Sequence, residues 1–109
     1  DAKKRKAAVI GALNVDIGGL PEAAFVPGDS IPGRVAVTLG GVGWNIARDC
    51  ACLGAETAFF SVLGRDAHEG DIRREAAACG VDISRCRWAE APNNRYLYIR
   101  GRNGGMAAQ

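Results

Sequence analysis

Gly40-Gly41-Val42-Gly43-Trp44-Asn45-Ile46-Ala47 is the stretch that decides how this chain folds and what it binds. Three glycines stand within four positions, and an asparagine then opens an apolar, helix-like run. Glycine lets the backbone approach a ligand closely and accepts a positive φ. The amide of Asn45 supplies both a donor and an acceptor at the same point. The combination predicts a loop that holds a polyhydroxylated ligand against the main chain.

The spacing of these glycines excludes three better-known phosphate-binding loops. A Walker loop needs a glycine, four residues and then Gly-Lys-Ser/Thr, and the chain contains no such string. A dinucleotide-binding fingerprint counted from Gly41 meets Ile46 where its third glycine is required. The glycine-rich loop of protein kinases fails in the same way. The cluster therefore indicates a different use of glycine.

Charge and hydropathy exclude several classes of partner. The 109 residues are 48% hydrophobic and 24% charged, as in one ordinary soluble domain. A formal net charge of +2 is too small to indicate nucleic acid, and the basic run at residues 3–6 is typical of a solvated chain end. No apolar stretch approaches the roughly 18 residues of a membrane span, and no signal peptide is visible. We therefore expect a cytoplasmic protein with no nucleic-acid and no membrane partner.

The cysteines do not have the spacing of a metal site. They are Cys50, Cys52, Cys79 and Cys86. None forms a C-x-x-C pair, and His68 is distant from them in the sequence, so no zinc or other metal ligand is expected. Reduced thiols packed as small apolar groups, in a reducing compartment, are the favoured interpretation.

Hydrophobic periodicity predicts strands at 7–13, 34–39, 57–63 and 96–99. Prolines and glycines at 20–33 indicate a loop or an edge excursion. Asn103-Gly104 has the composition of a hairpin turn.

Two helices are expected between these strands. The first covers 45–53 and is closed by Gly54, and its apolar face is formed by Ile46, Ala47, Cys50 and Leu53. The second follows a capping box in which Asp66 is the cap and Glu69 the third helical residue. It buries Ile72, Ala76 and Cys79 and ends at Gly80.

The resulting order of strands and helices predicts an α/β sandwich. The segment from Val35 to Leu63 reads as strand, helix and strand, which predicts a right-handed βαβ crossover. Asn14 and Asp16 follow the first strand, so polar side chains are expected where that strand ends.

Several motifs occur together in an order that resembles the N-terminal signature of the PfkB (ribokinase-like) carbohydrate kinases. They are the run 40–47 with Gly54 and Gly64, the N-x-D ending of 11–16, Gly64-Arg65-Asp66 with Gly70, and Gly80-Val81-Asp82. The resemblance covers nearly the whole chain. It implies an α/β fold, namely the N-terminal part of a ribokinase-like α/β/α sandwich with a small β-strand lid.

Within that family, residues 29–35 followed by the glycine run look most like pseudouridine kinases. Trp44 stands where those kinases usually have arginine. Its indole either stacks on a base or sugar or packs on a neighbouring strand, and the residues favour packing.

The resemblance also implies which residues bind the substrate. Asp16 is expected to accept hydrogen bonds from a pair of sugar hydroxyls, as an alternative to serving as a turn residue. Asn14 is either a second sugar contact or a residue of the turn. Asn45 contacts the sugar, caps the helix, or does both. The other implied substrate-binding residues are Gly40, Gly41, Val42 and Gly43, with Val42 as an apolar wall.

In the family, ATP and Mg²⁺ are used, and a later G-x-G-D segment carries the catalytic aspartate and the phosphate-binding glycines. These 109 residues contain no such segment, so no catalytic, cofactor-binding or metal-binding residue is assigned to them. We expect residues 1–109 to be the sugar-binding part of the kinase domain and to be unable to phosphorylate alone.

The implied reaction is phosphorylation of a ribosyl hydroxyl, foremost the 5′-hydroxyl of pseudouridine. Another nucleoside or sugar kinase, ribokinase-like, and a non-catalytic sugar-binding module are the alternatives. Segments 14–39 and 94–106 are expected to form the lid, and a homodimer through that lid is expected.

Overall fold

The computed structural model describes residues 5–24, 26–101 and the backbone of 106–108. The described residues form two compact units. One holds those up to Asn14 and from Leu39 to Asn94, and the other holds those from Val15 to Thr38 and from Arg95 onward. In chain order the elements are β1 (Lys6–Ile10), β2 (Asn14–Pro21), β3 (Gly33–Gly40), α1 (Val42–Cys52), β4 (Glu56–Phe60), β5 (Val62–Gly64), α2 (Glu69–Cys79), β6 (Val81–Asp82), β7 (Arg87–Ala89), β8 (Asn94–Arg100) and β9 (Met106–Ala108).

A parallel sheet with the strand order β1-β4-β6 lies in the first unit. Val9 is opposite Phe59, and Thr57 is opposite Val81. Alternate residues of β4 point to one face, so Thr57 and Phe59 are buried there. Strands β5 and β7 form a second, short parallel pair. Helices packed against parallel strands confirm the predicted α/β class.

The predicted crossover from Val35 to Leu63 is wrong. Strand β3 pairs with β2 in a different sheet, and β4 pairs in parallel with β1. The parallel connection therefore runs from β1 through β2, β3 and α1 to β4. Alternation within a segment indicates a strand, but it carries no information about which strand becomes its neighbour.

Three strand boundaries also differ from the prediction. Strand β1 ends at Ile10, and Asn14 and Asp16 lie inside β2 and not in a turn after the first strand. The apolar run 57–63 is divided at Ser61, whose carbonyl accepts a hydrogen bond of 2.9 Å from the N–H of Arg87. The run therefore contributes β4 to one sheet and β5 to another. Strands β3 and β8 confirm the predictions at 34–39 and 96–99.

Helix α1 begins three residues before its predicted start. Its N-cap residue is Gly41, with a φ of 95°, and no side chain caps it. Asn45 is consequently not the cap, because it lies within the first turn. The end of α1 follows the prediction, since Gly54 adopts a φ of 93° directly after Leu53.

The buried face of α1 differs in part from the predicted one. Ala47 is buried as predicted and Trp44 is buried as well, whereas the exposed fractions of Ile46 and Leu53 are 48% and 88%. The rings of Trp44 and Phe59 pack edge to face, with centroids 5.5 Å apart. A large aromatic side chain thus sets the rotation of the helix on the sheet, and the smaller aliphatic residues turn outward.

Helix α2 ends as predicted and begins differently. Gly80 has a φ of 79° and donates its N–H to the carbonyl of Ala76, and Ile72 and Ala76 are buried. The predicted capping box is wrong, because His68 holds the N-cap position and no side chain caps the helix. Asp66 instead accepts the backbone N–H of His68 at 2.9 Å.

The four thiols occupy different environments. Cys86 is buried, and its Sγ donates to the carbonyl of Phe59 at 3.2 Å. Burial raises the pKa of the Cys86 thiol. Cys50 and Cys79 are half-buried and Cys52 is exposed, so the predicted packing as an apolar group describes Cys86 best.

The second unit contains a four-stranded sheet with the order β3-β2-β8-β9. The loop at 22–32 is closed by a bond of 2.9 Å from the N–H of Glu22 to the carbonyl of Pro32. A Cβ at Gly18 would lie 2.5 Å from the ring of Tyr98, so this position needs glycine. Strands β8 and β9 are antiparallel. The predicted turn at Asn103-Gly104 lies outside the described residues. Of the helices described, none has the length and apolarity to cross a membrane.

Candidate functional site

The first turn of α1 packs directly on the backbone that follows β1. A Cβ at Gly43 would lie 2.9 Å from the Cα of Gly11 and from the N of Ala12. The N–H of Trp44 donates to the carbonyl of Ala12 at 3.2 Å. Any side chain at position 43 would push these two segments apart. The glycine at this position is therefore required by the close approach of two backbones.

Gly41 is held by both conformation and space. Its φ of 95° is strained for residues with a side chain. A Cβ there would also lie 2.9 Å from the carbonyl oxygen of Ala12 and 3.2 Å from the N of Asn14. The backbone of Asn14 is thus brought beside Gly41 within the first unit. Gly40 is the buried last residue of β3.

The start of α1 presents free backbone donors. The N–H groups at the first turn of a helix have no partner inside the helix. Those of Trp44 and Asn45 are taken by the carbonyls of Ala12 and Gly41. Among the described residues, no group accepts from the N–H of Val42 or Gly43. Val42 is 78% exposed, so its role as an apolar wall against a ligand stays a prediction.

The side chain of Asn45 belongs to a chain of polar contacts. Its Oδ1 accepts a hydrogen bond from Nη2 of Arg48 at 3.1 Å. Nη1 of Arg48 lies 3.8 Å from Oε2 of Glu75, and the same oxygen accepts from Nε1 of Trp44 at 2.8 Å. Trp44 is completely buried. The favoured interpretation, in which Trp44 packs on a neighbouring strand, is confirmed, and stacking on a ligand is wrong.

Asp16 is the third residue of β2 and belongs to the second unit. It is half-buried, and its carboxylate makes no hydrogen bond or ion pair with any residue that the structure describes. Burial raises the pKa of its carboxyl group. A partly desolvated carboxylate is costly unless hydrogen-bond donors surround it. Asp16 is therefore suited to accept bonds from a bound molecule.

The sequence of the chain matches a known family over almost its full length. The profile of the pfkB family of carbohydrate kinases covers residues 4–106. The chain belongs to the pfkB family.

Individual relatives agree with this assignment. The pfkB chain is 34% identical over 96 residues to the uncharacterized sugar kinase YeiI of Escherichia coli K12, covering 87% of the chain and 26% of the relative. It is 31% identical over 99 residues to the pseudouridine kinase of the same organism, covering 90% of the chain and 32% of the relative. The chain thus spans about a third or less of the length of these relatives.

A solved structure shares the fold. A carbohydrate kinase from Agrobacterium tumefaciens is similar with a TM-score of 0.84 and 28% identity, over 94% of this chain and 34% of that one. The predicted ribokinase-like α/β fold is therefore confirmed.

The G-x-D stretch of this pfkB chain has a structural role that the sequence did not indicate. Asn93 is 6% exposed, and its Oδ1 accepts the N–H of Gly64 at 2.7 Å. Burial by itself would raise the pKa of Asp66, but hydrogen bonds from the N–H groups of Asn93 and His68 and from the Asn93 side chain outweigh it and lower that pKa. No spacing or periodicity in the sequence marks Asn93 as a partner of Asp66.

Proposed function

We propose that this chain supplies the acceptor-binding part of an ATP-dependent kinase that phosphorylates a ribosyl hydroxyl. The acceptor that we propose is pseudouridine, which would be converted to its 5′-phosphate. The observation that carries the proposal is the half-buried carboxylate of Asp16, for which the described residues provide no partner.

The chemistry of Asp16 suits a sugar. An ionised carboxylate accepts hydrogen bonds that are shorter and stronger than those of neutral acceptors. Vicinal hydroxyls of a ribosyl group offer two donors that one carboxylate can accept together. Binding would then supply the hydrogen bonds that burial has removed from Asp16, so the cost of desolvating the carboxylate favours a hydroxylated ligand.

The first turn of α1, which belongs to the first unit, presents hydrogen-bond donors of its own. The N–H groups of Val42 and Gly43 have no acceptor among the described residues, and hydroxyl or carbonyl oxygens of a ligand can accept from them. Gly41 lets this turn pack closely on the backbone of Ala12 and Asn14, and Gly40 is buried at the end of β3; both are proposed as further substrate-binding residues. Asn14 is proposed as a further contact, and Asn45 contributes its side-chain amide.

One observation supports pseudouridine over other ribosyl acceptors, namely the 31% identity to the pseudouridine kinase of Escherichia coli K12. The burial of Trp44 against Phe59 is compatible with this acceptor but does not select it. Because this indole is in the core, the replacement of the usual arginine acts through packing and leaves the ligand contacts of the glycine turn intact.

The phosphoryl group would come from ATP, with Mg²⁺ as its counter-ion. Among the described residues, no three His, Cys, Asp or Glu side chains lie close enough together to hold a metal ion. The chain also lacks the G-x-G-D segment. We therefore assign the described residues to acceptor binding alone and propose that residues 1–109 by themselves do not transfer phosphate.

The parallel sheet has an exposed face, which supports the proposal that a separate part of the kinase domain binds ATP. Ala8 is opposite Ala58, and Ile10 is opposite Phe60. Ile10 is 85% exposed, although parallel sheets are usually covered on both faces. We propose that the ATP-binding part of the kinase domain covers this face.

The second unit is proposed to act as the lid of the kinase. Closing a lid excludes water, so that phosphate is transferred to the sugar hydroxyl. Val35, Val37 and Leu97 of its sheet are 72%, 50% and 61% exposed. We propose that a second copy of the protein covers these side chains. Light scattering on the full-length protein should give a dimer, and V35K/V37K should give a monomer. A wild-type monomer would contradict the proposed dimer.

The substrate is tested with the full-length protein, ATP, Mg²⁺ and four acceptors: pseudouridine, uridine, adenosine and ribose. We expect phosphorylation of the 5′ oxygen of pseudouridine with the highest kcat/KM, measured by mass spectrometry of the product. D16N should lower this kcat/KM by about 10- to 100-fold, and the exposed Asp49→Asn on α1 is the matched control. Phosphorylation of ribose alone would overturn the nucleoside proposal. Binding without any transfer would make the chain part of a sugar-binding module.

A further inference from the structure

Arg48 lies between the side chains of Asn45 and Glu75. Its Nη2 is 3.1 Å from Oδ1 of Asn45, and its Nη1 is 3.8 Å from Oε2 of Glu75. A guanidinium group has donors and no acceptor. The atom of Asn45 that faces Arg48 must therefore be the oxygen. The amide nitrogen, Nδ2, is the end that remains, and no described group accepts from it.

Glu75 is itself held in place from the core. Its Oε2 accepts the indole N–H of Trp44 at 2.8 Å, and Trp44 is completely buried. The side chains of Arg48 and Glu75 are 37% and 33% exposed, so solvent screens their charges and the pair contributes little to stability. These contacts therefore affect the orientation of the Asn45 side chain more than the stability of the fold. They connect a fixed core residue to the one side-chain amide in the first turn of α1.

We infer that Glu75 and Arg48 are positioning residues that fix the Asn45 amide with its two N–H donors toward the acceptor substrate. This inference rests on the proposed function and assigns a specificity to the same site. Asn45 then recognises an oxygen of the substrate that accepts hydrogen bonds, and it does not recognise a donor.

The size of the effect follows from the conformations that Arg48 excludes. A free asparagine samples three χ1 rotamers and a broad, roughly two-fold χ2. Apparent affinity falls in proportion to the fraction of molecules in the competent conformation. Releasing Asn45 from Arg48 should therefore weaken substrate binding by about 3- to 10-fold. The chemical step takes place elsewhere, so kcat should not change.

The test is a double-mutant cycle in the full-length protein. R48M removes the guanidinium and keeps the aliphatic stem, and N45A removes the group on which it acts. We expect R48M to raise KM and the nucleoside Kd by about 3- to 10-fold at constant kcat. In the N45A background, R48M should have no further effect, because the two residues act as one unit. R48K, which keeps a donor, should restore part of the lost affinity.

Two more variants separate orientation from charge. E75Q keeps an acceptor for Trp44 but removes the partner charge of Arg48, so it should raise KM by less than R48M. N45D keeps an oxygen for Arg48 and loses the N–H donors, so it should bind worst. The matched controls are R74M and D71N, which break an exposed pair on α2 whose bond is 2.7 Å long, and they should leave KM unchanged.

The outcomes distinguish failure of the proposed function from failure of the positioning role of Arg48 and Glu75. If the wild type phosphorylates none of the four acceptors, the proposed function fails and this inference fails with it. If the wild type is active but R48M leaves KM unchanged, the inference alone is overturned. Additive effects of R48M and N45A, or a loss of kcat and melting temperature without a change in KM, would also overturn it and leave the proposed function standing.

Discussion

Asp66 and Asn93 are joined by two hydrogen bonds, although they lie 27 positions apart in the chain. Oδ2 of Asp66 accepts the backbone N–H of Asn93, and Oδ1 accepts from Nδ2, each at 2.9 Å. The Asn93 side chain also bonds both the N–H and the carbonyl of Gly64. The segment after β7 is thus attached to the end of β5 through one buried amide whose polar atoms are all satisfied.

Replacing this amide should be costly. N93A removes three side-chain hydrogen bonds and leaves the N–H of Gly64 without its partner, and each lost bond or unsatisfied group costs about 1 kcal/mol or more. We expect the free energy of unfolding of the full-length protein to fall by about 2–4 kcal/mol, measured by urea denaturation. The exposed neighbour Asn94 provides the control, and N94A should change the free energy of unfolding by less than about 0.5 kcal/mol. Equal effects of the two variants would contradict the role of Asn93.

The same contacts predict a dependence of stability on pH. The pKa of Asp66 is lowered in the folded protein, because the hydrogen bonds that it accepts outweigh its burial. Its ionised form therefore stabilises the fold fully above the ordinary aspartate pKa of about 3.9, and this stabilisation is lost as pH falls through the lower folded-state pKa. D66N should be less stable than the wild type at pH 7, and the difference should shrink below about pH 4. The midpoints of urea denaturation of both proteins are measured across this pH range. A difference that does not change with pH would contradict the stabilising role of ionised Asp66.

The two glycines of the G-x-D-x-x-G stretch should respond oppositely to alanine. A Cβ at Gly64 would lie 2.5 Å from the N of Asn93 and would also meet the carbonyl of Ala91, so G64A should severely destabilise the fold. Gly70 is in the exposed first turn of α2, where a Cβ meets only the tip of Arg74 at 3.8 Å. G70A should stabilise by about 0.5–1 kcal/mol, because alanine has the higher helix propensity. Thermal unfolding followed by circular dichroism measures the stability of both variants. Similar shifts in melting temperature would contradict the different roles of Gly64 and Gly70.

The two tryptophans offer a matched comparison. W44F leaves a cavity beside Phe59 and removes the donor to Glu75, so it should destabilise by about 1–3 kcal/mol. Trp88 is half-buried, with the guanidinium of Arg73 at 4.3 Å from its ring centroid. W88F keeps an aromatic face for that cation and should cost less than about 1 kcal/mol. Urea denaturation followed by far-UV circular dichroism gives both values, and a larger loss for W88F would contradict the core position of Trp44.

Asp16 should show opposite effects on binding and stability. Loss of charge-assisted hydrogen bonds worth about 1.5–3 kcal/mol predicts that D16N binds the nucleoside about 10- to 100-fold more weakly in calorimetry. Because burial raises the pKa of Asp16, its ionisation opposes folding above that pKa, and the opposition disappears below the ordinary aspartate pKa. D16N should therefore melt slightly higher than the unliganded wild type at pH 7 and equally at about pH 3. A lower melting temperature for D16N at pH 7 would contradict this assignment.

Much of the local structure was accessible from the sequence. Glycines after the last helical turn predicted the ends of both helices. The residue at this position adopts a left-handed conformation, which glycine accepts without a steric cost. The order of short motifs was enough to identify the pfkB family, since each motif is local and linear. The residue types of the glycine turn also indicated a surface for close backbone approach.

Only the tertiary structure decided which elements and side chains become partners. β3 alternates as a strand, but its pairing with β2 depends on residues far from it in the chain. Asp66 has the spacing of a helix cap, yet it accepts hydrogen bonds from the backbone and side chain of Asn93. One N–H of the buried Asn93 side-chain amide would otherwise lack an acceptor. Trp44 directly follows the glycines of the turn, yet burying its large ring against Phe59 is more favourable than exposing it. Local patterns encode backbone conformation within a few residues, whereas burial and hydrogen-bond satisfaction are decided by neighbours that only folding brings together.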